Sequence, residues 1–198
     1  MKYIVKNLEE LLKIPSPTGN TEKAVSFVEE KFKELGIVTK RTTKGALIAT
    51  IQGKNKDKEV TLSGHVDTLG GMVKEIKGNG RLKITQLGGY VWNTIEGEHV
   101  TVETLDGKTY TGTIMTTKAS SHVHGEGTKT IERNSDNMEI RIDEKVFSKE
   151  DTLKLGINVG DFVYFDPRVA VTESGFIKSR HLDDKAGVIS ILGIAKHL

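Results

Sequence analysis

The first 36 residues carry apolar positions at helical spacing. Leu8, Leu11 and Leu12 stand among charges within residues 1–13, which predicts a short amphipathic helix ending before Pro15. Pro15-Ser16-Pro17-Thr18-Gly19-Asn20 reads as a rigid turn, with Asn20 or Thr21 placed to cap the next helix. Ala24, Val28, Phe32 and Leu35 then recur on one helical face, and Gly36 sits at the expected C-terminal cap. Beyond it the pattern turns extended, with strands expected at 37–43, 46–51 and 60–66. The run 46–51 is almost continuously apolar, as in a strand buried on both faces. The run 60–66 ends in polar residues beside glycines. This order predicts an open α/β sheet, in which ligands collect beyond the strand ends.

From about residue 69 to 167 the period becomes that of short strands separated by turns. Strands are expected at 72–76, 82–87, 99–104, 109–115, 138–142 and 161–165. The clearest hairpin spans 101–111, with Asp106-Gly107 at its tip. Residues 117–137 are polar and read as a mobile loop. Ser148 followed three positions on by Asp151 predicts a capped short helix ending at Gly156. A strand is expected again at 176–179, and an apolar helix at 185–198. The expected organisation is thus an α/β domain in two parts, 1–68 and 168–198, interrupted by a small β-rich domain at 69–167. The final helix has no cap or polar tail, so the chain reads as cut within its α/β domain.

Composition narrows the chemistry. The 198 residues include 29 basic and 27 acidic side chains, a formal net charge of +2. So balanced a surface offers no argument for nucleic acid or an acidic membrane as partner. No apolar run is long enough to span a bilayer and no signal peptide is recognisable, so the cytoplasm is the expected compartment. There is no cysteine, which removes disulfides, thiol catalysis and thiolate metal sites. Any metal must be held by His, Asp and Glu.

Two short constellations carry candidate chemistry. Ser63-Gly64-His65-Val66-Asp67-Thr68 ends the expected strand 60–66, where alternation points His65 and Asp67 the same way. A metal-ligating histidine oriented by a carboxylate needs that arrangement. His181-Leu182-Asp183-Asp184-Lys185 lies between a strand and a helix start. Its paired carboxylates suit either N-capping or metal ligation. The two constellations are 118 positions apart, each closing an expected strand of one sheet. Zinc, cobalt and manganese all accept such His and carboxylate donors. His122, His124 and Glu126 offer a weaker set in a polar loop. Trp92, beside Gly88-Gly89, suits either an interface or the core of the small domain.

The stretches IPSPTGNTEKAVSFVEEKF, LSGHVDTLGGMVKEI and GDFVYFDPRVAVTESGFIKSRHLDDKAGV closely resemble the deblocking and glutamyl aminopeptidases. These are co-catalytic metallopeptidases, several of which assemble as tetrahedral dodecamers; some are described as CelM-like endoglucanases. The resemblance implies a zinc-peptidase-like α/β catalytic domain with an inserted β-barrel-like domain used for oligomer contacts. It implies two divalent ions, zinc or cobalt, with His65 a ligand of one, Asp183 bridging both and Asp67 orienting His65. The substrate would be a peptide trimmed from its free N-terminus. The family's general-base glutamate and remaining ligands lie beyond the helix at which this sequence ends, so the chain alone is expected to be inactive. A non-catalytic assembly or binding module of the same fold is the alternative. Glycosidase chemistry is disfavoured, because Asp183 and Asp184 are adjacent at a helix start rather than flanking a sugar bond.

Overall fold

Helix α1 (Lys2–Leu12) and helix α2 (Glu22–Glu34) form where the 3.6-residue spacing places them. The computed structural model describes residues 2–198. Spatial contacts divide it into two units: the residues up to Thr68 with Pro167–Leu198, and Leu69–Asp166. The architecture is mixed α/β, with a closed six-stranded barrel.

In the first unit the core lies between helices. Leu8, Leu11 and Leu12 of α1 and Ala24, Val28 and Phe32 of α2 cluster with Val188, Ile189 and Leu192 of the last helix, α6 (Leu182–His197). Each such leucine contributes about 1.5–3 kcal/mol on burial, and these contacts set the start of α6 against the end of α1. Strands β1 (Thr39–Arg41) and β2 (Leu47–Ala49) make an antiparallel hairpin. Arg41 ties that hairpin to α2 by donating from Nε to Glu29 Oε2 at 2.8 Å.

The sheet of this unit departs from expectation in three places. The run 46–51 is not buried on both faces, since Ile48 is 49% and Ile51 40% exposed. Residues 60–66 form no strand, and Val60 and Leu62 are exposed. No backbone hydrogen bond joins 60–66 to another segment among the described residues; only Thr68, just beyond, bridges to Pro17 in parallel fashion. An extended apolar run becomes a strand only when a neighbour supplies its hydrogen bonds, and here none does. The return strand expected at 176–179 is instead one arm of a two-residue-per-strand ribbon, β9 (Ala170–Val171) with β10 (Ile177–Lys178). Both sheets of this unit are therefore antiparallel pairs, and the open sheet expected from the element order is absent among the described residues.

The second unit holds the barrel, in the order β3 (Gly70–Ile76), β4 (Leu82–Leu87), β7 (Met138–Ile142), β6 (Thr109–Thr116), β5 (His99–Glu103) and β8 (Phe162–Phe165), which closes on β3. Alternate side chains fill its interior, among them Val73, Leu82, Ile84, Val102, Ile140 and Val163. The expected hairpin is β5–β6, with Gly107 at φ +82° in its tip, a left-handed conformation that glycine adopts without penalty. Between β6 and β7, two single-turn helices, α3 (Ser121–His124) and α4 (Gly127–Thr130), occupy the polar stretch read as a loop. Helix α5 (Lys149–Lys154) begins with the expected capping box, Ser148 and Asp151 each holding the other's backbone amide. Trp92 lies in a short 3₁₀ turn, Trp92–Ile95, and packs edge-on to Tyr90 against the barrel core.

Candidate functional site

The structure brings the two constellations together within the first unit. His65 Nδ1 lies 2.9 Å from Asp67 Oδ1, and His65 Nε2 lies 3.2 Å from Asp183 Oδ1. Although 60–66 is not a paired strand, His65 and Asp67 still meet.

Close backbone approach makes the encounter. A Cβ on Gly64 would sit 3.0 Å from Asp184 Oδ2 and 3.2 Å from the Val188 amide nitrogen. Any side chain on residue 64 would make its neighbours at the start of α6 give by a few tenths of an ångström. Asp183 and Asp184 have non-helical backbone angles and are joined by a cis peptide bond, so the regular helix begins at Lys185.

The two carboxylates divide the roles that the sequence left open. Asp184 caps the helix: its Oδ1 accepts the Gly187 amide at 3.1 Å. A Cβ on Gly187 would fall 2.3 Å from that oxygen, so the cap requires glycine there. Asp183 is left free of the helix, with its side chain 93% exposed and turned to His65. The capping role thus falls to Asp184, and Asp183 is left exposed beside His65.

Two supports escaped the sequence reading. Lys185, read only as the first residue of an apolar helix, is fully buried; its Nζ donates to Leu11 O at 3.0 Å and Ile14 O at 2.6 Å. It thereby joins the end of α1 to the start of α6, sharing Leu11 O with the Ile14 amide, and burial pushes its amine down to about 8. The Pro-Ser-Pro-Thr turn is more than a helix break. Ser16 Oγ donates to Val66 O at 2.6 Å, Ser16 O accepts the Thr68 amide at 2.8 Å, and Thr18 Oγ1 donates to Asp67 Oδ2 at 2.8 Å. The only signal for these roles in the sequence was the density of hydroxyls in a turn of otherwise fixed backbone.

The donor set suits a divalent cation. Asp67, an acceptor, faces Nδ1; a neutral imidazole with its proton there would present the Nε2 lone pair towards Asp183. A lone pair and a carboxylate oxygen 3.2 Å apart repel unless positive charge is shared between them. One imidazole and one carboxylate are donors that zinc and cobalt accept. No group of three or more His, Asp or Glu residues placed to hold a metal occurs among the described residues. Of the other candidates, His122, His124 and Glu126 are exposed on and between α3 and α4 in the other unit, and His181, two positions before Asp183, is buried.

The comparisons with known proteins converge on one family. A profile of the M42 glutamyl aminopeptidases matches residues 45–198. The chain is 55% identical over 185 residues to YhfE of Bacillus subtilis, which carries a provisional aminopeptidase assignment; the match covers 93% of this chain and 53% of YhfE. Among solved structures it resembles the aminopeptidase APDkam598 of the archaeon Desulfurococcus kamchatkensis, with TM-score 0.86 and 25% identity over 98% of this chain and 52% of that one. It also resembles the TET1 peptidase of Pyrococcus horikoshii, which can assemble into a tetrahedron or a large octahedral shell, with TM-score 0.83 and 26% identity over 98% of this chain and 56% of that one. The chain spans about half the length of the relatives it matches. With its barrel, its adjoining α/β unit and the matched motifs, the chain belongs to the M42 glutamyl aminopeptidase family.

Proposed function

We propose that this chain supplies part of the active site of a metal-dependent aminopeptidase that removes N-terminal residues from peptides. The observation that carries the reading is the His65 Nε2–Asp183 Oδ1 approach, with Asp67 on the far side of the imidazole. His65 and Asp183 would hold two divalent ions, zinc or cobalt, with His65 ligating one and Asp183 shared by both. When bound, such ions activate water and polarise the scissile carbonyl.

The chain's own residues perform the preparatory work. Asp67 holds the proton on Nδ1, so Nε2 is always the ligating nitrogen. Asp184 and Gly187 keep the helix start in a form that leaves both oxygens of Asp183 available. A general base must take a proton from water and return it to the leaving amine, and none of the three acids here is placed for that role: Asp67 is committed to His65, Asp184 to its cap and Asp183 to bridging. This division supports the reading that the 198-residue chain alone is inactive.

On the same reading, residues 1–68 and 168–198 belong to the catalytic domain. Residues 69–167 are an inserted domain through which copies of the protein associate, in the cytoplasm. The named assemblies of the Pyrococcus relative favour that association. No helix among the described residues is long and apolar enough to cross a membrane.

The test is metal content and hydrolysis of aminoacyl p-nitroanilides by the native gene product and its Asp183→Asn variant. Both signals are expected to disappear together in the variant. Full metal content and turnover in Asp183→Asn would remove Asp183 from the site. The 198-residue chain, assayed beside them, is expected to show no turnover.

A further inference from the structure

We propose that Thr18 is a positioning residue for His65, acting through Asp67, and that the turn 14–18 is a clamp holding both sides of the site. This rests on the assignment of His65 and Asp183 as ligands.

Both oxygens of Asp67 are engaged from opposite directions. Oδ1 faces His65 Nδ1 at 2.9 Å, and Oδ2 accepts the Thr18 hydroxyl at 2.8 Å. A carboxylate held at one oxygen can swing about its Cβ–Cγ bond and carry its partner along; one held at both cannot. The need is real here, because Asp67 is 42% and His65 53% exposed in their side chains. Packing alone does not fix either ring or carboxylate, and water competes for each hydrogen bond. Thr18 therefore supplies orientation where burial is lacking.

The same turn grips the backbone around Asp67. Ser16 holds Val66 O through its hydroxyl and the Thr68 amide through its carbonyl, one residue on each side of Asp67. Two residues earlier in the turn, Ile14 O accepts the Lys185 ammonium at 2.6 Å, two positions after Asp183. One short, doubly proline-stiffened segment thus touches the histidine arm and the carboxylate arm, and their 3.2 Å separation is set through it. Thr18 itself is exposed, so its replacement removes a hydroxyl and no packing.

The test uses the 198-residue chain, with Thr18→Val and Thr18→Ser. The first readout needs no metal: nitrogen-15 shifts of the His65 ring report the balance between its two neutral forms. Thr18→Val is expected to shift that balance towards the Nε2–H form by about threefold or more, and Thr18→Ser to restore it. The second readout is cobalt affinity, expected to fall about three- to tenfold in Thr18→Val, short of the roughly 10–100-fold typical when a ligand's direct partner is lost. A Thr18→Val ring with wild-type shifts overturns the proposal, as does a Thr18→Ser variant that behaves like Thr18→Val. If the wild-type chain shows the expected ring form yet its His65 signals ignore cobalt, the ligand assignment fails while the positioning of His65 by Thr18 stands.

Discussion

Replacing Lys185 with Met tests the tie between the end of α1 and the helix start that carries Asp183. Two opposed effects decide the outcome. Ile14 O loses its ammonium donor, while Leu11 O keeps the Ile14 amide at 3.1 Å, and an unsatisfied buried acceptor costs about 1–3 kcal/mol. Against this, the variant no longer buries a charge. Burial lowers Lys185 from the ordinary 10.5 to about 8, a gap that corresponds to roughly 3 kcal/mol spent on keeping it protonated in the folded state. Near neutral pH the two effects nearly cancel, so the variant is expected within about 2 kcal/mol of the wild type. The pH dependence is sharper. The unfolded chain binds the Lys185 proton more tightly than the folded chain, so the penalty is complete below about pH 8 and fades as the pH rises towards 10.5. A neutral amine still has two N–H groups for its two carbonyls, so the native hydrogen bonds survive deprotonation. Between about pH 7.5 and 10 the wild type should gain roughly 2–3 kcal/mol relative to Lys185→Met. Urea unfolding followed by circular dichroism reads this unit, since its three helices supply most of the helical signal, while Trp92 fluorescence reads the barrel. A wild-type stability that stays constant or falls relative to the variant with rising pH would refute the account of Lys185 as a buried charge held by two carbonyls.

Two further outcomes follow from the geometry. Gly187→Ala would place a methyl 2.3 Å from Asp184 Oδ1, so the cap must open; a loss of about 1–2 kcal/mol is expected in helical-signal unfolding, with the Trp92 transition unmoved. Asp106, at the barrel hairpin tip, is held down to about 2 by the Thr104 hydroxyl and then by Lys108. Carbon-13 titration of its carboxyl in Thr104→Val should move it upward, towards the ordinary carboxylate range, and an unmoved titration would discount the hydroxyl as the cause.

Much of the fold was legible because its signals are local. The helical spacing of Leu8, Leu11 and Leu12, the Asp106-Gly107 turn and the Ser148–Asp151 box each act within a few residues, and each forms as read. The misreadings share one cause. Burial of 46–51 on both faces and strand formation at 60–66 depend on neighbours that cover or pair them, and apolar composition cannot report whether those neighbours are present. The same holds for the α/β sheet inferred from element order, which is two antiparallel ribbons here.

By itself the sequence determined the two chemical arms, His65 with Asp67 and the Asp183-Asp184 pair, because alternation along an extended backbone and the capping preference of carboxylates are properties of a few consecutive residues. It also determined the barrel's strands, through their period of two. Tertiary structure alone decided that His65 and Asp183 lie 3.2 Å apart, that Asp184 rather than Asp183 caps the helix, and that Ser16, Thr18 and Lys185 brace the pair. Apart from the cap, which spans three positions, those facts depend on contacts spanning 49 to 174 positions along the chain, and such contacts arise only once the helical core has brought α1, the turn after it and α6 together.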